Sequence, residues 1–170
     1  MAVASSAPPE IHATDDRVRV MIVDDSLVIR GVISSWIAEV PDFVVVATHR
    51  NGRNAADDVV KSQPDVVILD IEMPEMDGLT ALPLILERKP GTAVIVASTL
   101  TRRGAEISLK ALTLGASDYV PKPGSGAGLI SATDFRADLI NKVRELGARA
   151  RRHRRGHAPL PPGREKPAAK

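Results

Sequence analysis

Cysteine is absent from this 170-residue sequence, which excludes a disulfide framework and any thiolate metal site. Aromatic side chains are nearly absent too, with only Trp36, Phe43, Tyr119 and Phe135. A core must therefore be aliphatic, and the 44% hydrophobic content supplies enough Val, Ile, Leu and Ala for one ordinary domain. No apolar run reaches the roughly 18 residues that cross a bilayer. Met1 to Asp16 lacks the basic start and apolar stretch of a secretory signal and reads as a short disordered leader. These absences fit a cytoplasmic protein with no membrane insertion. No internal repeat is visible.

Charge of one sign is not in excess overall, since the net is +2. That balance hides a split. Arg144 to Lys170 holds nine Lys or Arg against two acids, a net of +7, which leaves −5 for Met1 to Val143. An acidic folded part, 17–150, thus precedes a basic tail, 151–170. The tail, RRHRRGHAPLPPGREKPAAK, has too few apolar residues for a core and reads as a disordered linker. Nucleic-acid binding by its arginines is disfavoured, because it has no aromatic for stacking and no recognition-helix pattern.

Between these ends, strand and helix signals alternate five times. Apolar β-rich runs stand at Arg17–Val23, Phe43–Ala47, Asp65–Leu69, Ala93–Ala97 and Ser117–Val120. Helical spacing follows at Leu27–Val40, capped by Ser26, and at Asn54–Lys61, Leu79–Leu86, Gly104–Leu114 and Thr133–Ala150, the last capped by Thr133 or Asp134. Pro83 is tolerable only near the start of its helix. Pro121 and Pro123 end the fifth strand. Continuous rather than alternating apolar strands are the mark of a parallel sheet covered on both faces. The expected fold is α/β, a doubly wound five-stranded parallel sheet of order 2-1-3-4-5.

In such a sheet the functional crevice lies at the carboxyl ends of the strands. The first strand ends in Asp24-Asp25, the third in Asp70 and the fourth in Ser98-Thr99, while Lys122 follows the fifth. The order puts the third strand between the first and fourth, so three acids converge on one pocket. At neutral pH they need a cation. Carboxylate oxygens with no Cys or His nearby favour Mg2+. A carboxylate there is a nucleophile able to form an acyl phosphate. Lys122 and the metal would neutralise a phosphoryl group, and a hydroxyl from Ser98 would donate to it.

These residues resemble the landmarks of the response-regulator receiver family: the acidic pair of VMIVDDS, the aspartate of VVILDIEMPEMDGL, the hydroxyl of IVAST and the lysine of DYVPKP. The resemblance spans roughly Arg17 to Pro123. It implies a flavodoxin-like receiver fold, phosphorylation on Asp70 by a histidine kinase, and Mg2+ held by Asp24, Asp25, Asp70 and the backbone carbonyl of Glu72. It further implies Lys122 as the phosphate-binding lysine, Ser98 rather than Thr99 as the switch hydroxyl, Tyr119 as the switch aromatic and a cis Lys122–Pro123 bond. The stretch ASTLTRRGAEISLKALTLGASDYVPKP is more specifically similar to the receiver of the chemotaxis protein-glutamate methylesterase family (CheB). That likeness implies a C-terminal methylesterase domain as partner. No Gly-x-Ser-x-Gly elbow is present in this sequence, so the family's esterase site is not carried over. A stand-alone receiver that docks a partner or shuttles phosphoryl groups is the alternative.

Overall fold

The computed structural model describes residues 16–99, 101–123 and 131–156. The β-branched runs become strands β1 (Val18–Val23), β2 (Phe43–His49), β3 (Val66–Asp70), β4 (Ala93–Thr99) and β5 (Asp118–Lys122). They alternate with helices α1 (Leu27–Ala38), α2 (Gly52–Ser62), α3 (Gly78–Arg88), α4 (Arg102–Thr113) and α5 (Ala132–Gly156). All neighbouring strands are parallel, in the order β2-β1-β3-β4-β5, as the sequence predicts.

Alternate residues of each strand enter opposite layers. Val20, Ile22, Ile68, Ile95 and Val120 pack with Ile33 and Ile37 of α1 and Leu139 and Val143 of α5. Met21, Val23, Val67, Leu69, Val94 and Val96 pack with α2, α3 and α4 through Ala55, Val59, Leu82, Ile85 and Ala111. Every residue of β3 is buried, Asp70 included. Burying each aliphatic side chain contributes on the order of 1.5–3 kcal/mol before entropy is counted, so few aromatics are needed.

Ser26 caps α1 as expected, accepting from the Ile29 amide. Four details depart from the sequence reading. Pro83 lies inside α3, not at its start, but it is exposed, so the carbonyl it leaves unbonded can face water. β5 continues through Pro121, which an edge strand tolerates because one side of it lacks a ladder partner. Ser131, not Thr133 or Asp134, caps α5, its hydroxyl accepting from the Asp134 amide. Among the described residues no peptide bond is cis, so Lys122–Pro123 is trans.

The expected boundary at Ala150 differs most. α5 runs on to Gly156 because its last turns find partners. Ala150 is buried. The Arg154 guanidinium donates to both carboxylate oxygens of buried Asp65, at 2.8 and 3.4 Å. Arg151 and Arg155 reach the backbone and side chain of Asp16, so Asp16 is held too. The rest of the proposed leader, 1–15, and of the tail, 157–170, lie outside the described residues.

Candidate functional site

The carboxyl end of the sheet gathers the polar residues read from the sequence. Parallel pairing brings the ends of β1, β3 and β4 level, and Asp24, Asp25 and Asp70 each offer an oxygen within 4.8 Å of the others. Asp24 and Asp70 are buried and Asp25 is exposed. The Asp24 carboxylate accepts from the Ser26 amide at 2.9 Å, which fixes its rotamer at the start of α1. Arg30, one turn on, donates to the Asp24 backbone carbonyl at 2.6 Å.

Lys122 reaches back from the end of β5 and joins the acids. Its ammonium lies 2.7 Å from Asp24 Oδ2 and 2.9 Å from Asp70 Oδ1. With all three acids ionised the group carries one positive and three negative charges, a deficit that a divalent cation balances. The donor set is oxygen only, which suits a hard cation.

Burial pushes the Asp70 carboxyl up to about 6, helped by the Asp24 and Asp25 charges and opposed by Lys122. Burial pulls the Lys122 ammonium down, but Asp70 and Asp24 outweigh it and the net shift is upward. Without added cation, the Asp70 side-chain carbon signal in NMR should therefore titrate near pH 6. Removing the opposing charge with Lys122→Met should move that midpoint higher. A midpoint near 4 in the wild type would contradict the packing described.

A cavity of about 320 Å3 opens above Asp70, lined also by Asp25, Glu72, Ser98, Thr99 and Lys122. Ser98 is buried and Thr99 exposed, and both line the cavity. Tyr119 does not enter the cavity lining. It is half-exposed on edge strand β5, with Lys142 5.6 Å over its ring and donating to its carbonyl.

Three contributors escaped the sequence reading. Gly78 opens α3 against Asp70, where a Cβ would overlap the Asp70 carbonyl. Gly104, in the first turn of α4, would similarly collide with the Thr99 carbonyl, and it walls the cavity with Ile107. Ser108, one turn on, is buried with its hydroxyl 2.8 Å from that of Ser98. The signal was present: Gly104, Ser108 and Ala111 make a small-residue stripe at helical spacing on the buried face of α4.

The comparisons agree with this geometry. The family model described as a response regulator receiver domain matches residues 20–134. Protein-glutamate methylesterase/protein-glutamine glutaminase of Rhodopseudomonas palustris (strain HaA2) is 54% identical over 153 residues, which cover 89% of this chain and 39% of the relative. The protein of the same description from Nitrobacter hamburgensis is 55% identical over 151 residues, with the same coverage. The chain thus spans about two-fifths of the length of these curated relatives. Among solved structures, the response regulator domain of Thermotoga maritima CheB is 39% identical at a TM-score of 0.68, covering 78% of this chain and 97% of that one. A structure of the CheX-CheY-BeF3-Mg+2 complex from Borrelia burgdorferi matches at 28% identity and a TM-score of 0.62, covering 75% and 87%. No helix of the described residues is long and apolar enough to cross a membrane. With the fold, the strand-end acids and the matched span in agreement, the chain belongs to the response regulator receiver family and is similar to the receiver of the protein-glutamate methylesterases.

Proposed function

We propose that this chain takes a phosphoryl group from a histidine kinase onto Asp70 and thereby controls a C-terminal methylesterase domain in chemotaxis, working in the cytoplasm. The observation that carries the reading is Lys122 bonded to both Asp24 and Asp70 inside the carboxylate cluster. That arrangement holds a nucleophile and a phosphate-binding cation together at the floor of an open cavity.

Asp24, Asp25 and Asp70, with the backbone carbonyl of Glu72, would hold Mg2+. When bound, the ion supplies charge neutralisation for the phosphoryl oxygens. An Asp70 oxygen attacks phosphorus, the bond from phosphorus to the donor's imidazole nitrogen breaks, and that nitrogen keeps the electron pair and takes a proton from solvent. Lys122 donates to the transferred group, and Ser98 supplies a further donor from β4. Tyr119 then responds on β5, so the surface around α4 and β5 changes and biases a two-state equilibrium. The CheX-CheY complex of Borrelia burgdorferi contains BeF3 together with Mg+2, which supports the same pairing here.

Two measurements test this. Incubation with Mg2+ and acetyl phosphate should add one phosphoryl group by intact mass, and removal of Mg2+ or Asp25→Ala should prevent it. Added in trans to an isolated family esterase domain, the unphosphorylated chain should slow methanol release, and the phosphorylated chain should slow it less. Absence of inhibition in both states would favour the stand-alone receiver.

A further inference from the structure

We infer that Ser108 is a positioning residue, a latch that accepts a hydrogen bond from the Ser98 hydroxyl and holds it on α4 until a phosphoryl group competes for it. The inference rests on the proposed function of Asp70 and extends it to a residue outside the family landmarks quoted above.

Counting protons fixes the direction of the chain. Ser108 Oγ lies 2.8 Å from the Gly104 carbonyl and 2.8 Å from Ser98 Oγ. A carbonyl only accepts, so the single Ser108 proton goes to Gly104. The bond between the two hydroxyls must then be donated by Ser98. Its proton therefore points at α4 and is unavailable to the cavity over Asp70. Both side chains are buried, Ser108 at 2% exposure and Ser98 at 8%, and Ser98 meets water only on its cavity side.

A phosphoryl oxygen on Asp70 is an anionic acceptor, and charge-assisted hydrogen bonds exceed neutral ones in strength. Ser98 gains by rotating toward it. Ser108 loses only an accepted bond, because its own proton stays on Gly104. Release is thus cheap for Ser108 but removes the side-chain hydrogen bond between β4 and α4, leaving only apolar packing such as Val96 with Ala111: among the described residues no other side-chain hydrogen bond joins these two elements. Phosphoryl chemistry at β3 is thereby converted into freedom of the helix that walls the cavity.

The test is titration with beryllium fluoride and Mg2+, followed by NMR amide shifts. Ser108→Ala leaves the Ser98 hydroxyl without its partner in the free state only, so it should tighten binding about 2- to 10-fold. In the free Ser108→Ala protein, the amide signals of 101–108 should already lie part-way to their bound positions. Ser108→Thr keeps the hydroxyl and should restore wild-type affinity. Ser98→Ala should weaken binding, and adding Ser108→Ala to it should change nothing further. Unchanged or weaker binding by Ser108→Ala, or an equal effect in the Ser98→Ala background, would overturn the latch while leaving the acceptor reading intact. No binding by the wild type would overturn both.

Discussion

Asp70→Asn is expected to abolish phosphoryl uptake and, at the same time, to make the metal-free fold more stable at pH 7. The first effect follows because the amide has no anionic oxygen to form the acyl phosphate, and neither Asp24 nor Asp25 replaces it. Asp24 is bonded on one oxygen to the Ser26 amide and on the other to Lys122, and Asp25 stands exposed at the rim. Intact mass after incubation with acetyl phosphate and Mg2+ should show no added group. Normal labelling of the variant would remove Asp70 from its role.

The second effect follows from the raised Asp70 pKa. In the folded chain the carboxyl lies near 6, against 3.8 as the ordinary value, mainly through burial. The folded state therefore binds the proton more tightly than the unfolded state. The associated penalty is absent below about pH 4, grows as pH rises toward 6 and is complete above it. An upward shift of this size amounts to about 2–3 kcal/mol of destabilisation at pH 7. The neutral amide avoids it, so the variant should melt at higher temperature at pH 7 and show little gain near pH 4. Mg2+ should raise the melting temperature of the wild type far more than that of the variant. A variant less stable than the wild type at pH 7 would show that Lys122 compensates Asp70 more completely than its distance suggests.

Fold and site were legible to different depths. The sheet order and the strand-end acids could be read because continuous apolar runs ending in charge are local in sequence. Asp24, Asp25, Asp70, Ser98 and Lys122 meet as expected, since parallel register alone brings strand ends together. Ser108 was not legible as a partner of Ser98, because a serine in the middle of a helix reads as solvated unless the rotation of that helix on its strand is known. Gly78 and Gly104 were not legible as site residues either. Their role is close approach to the Asp70 and Thr99 carbonyls, a matter of tertiary distance. Pro121 misled because its ban from strands applies to a strand paired on both sides, and β5 is an edge. The end of α5 misled most, because composition describes a segment alone while its order here depends on an acid at the start of β3.

Arg154→Ala provides the sharpest check on that last point, with an expected loss of about 3 kcal/mol of stability. Arg154 belongs to a stretch whose composition reads as linker, where such a change should cost almost nothing. In the folded chain its guanidinium is a side-chain partner of Asp65, which is fully buried as a side chain. A further hydrogen bond to Asp65 comes from the Arg19 amide at 2.9 Å. Truncating Arg154 strands a carboxylate away from water, and breaking a buried pair from one side costs several times what an exposed pair contributes. Lys89 lies within electrostatic reach of Asp65 and softens the loss. Arg155, by contrast, pairs with Asp16 at the surface with both side chains more than half exposed, so Arg155→Ala should change stability by under about 1 kcal/mol. Urea denaturation of the two variants separates the cases, and trypsin should cut after Arg151 or Arg152 faster in the first than in the second. Equal, small effects would mean that α5 ends near Ala150 in solution. A large effect confined to Arg154 means that the segment leaving the receiver starts as a rigid helix anchored beneath the sheet, so motion of the α4 surface is referred to a fixed arm rather than to a loose tether.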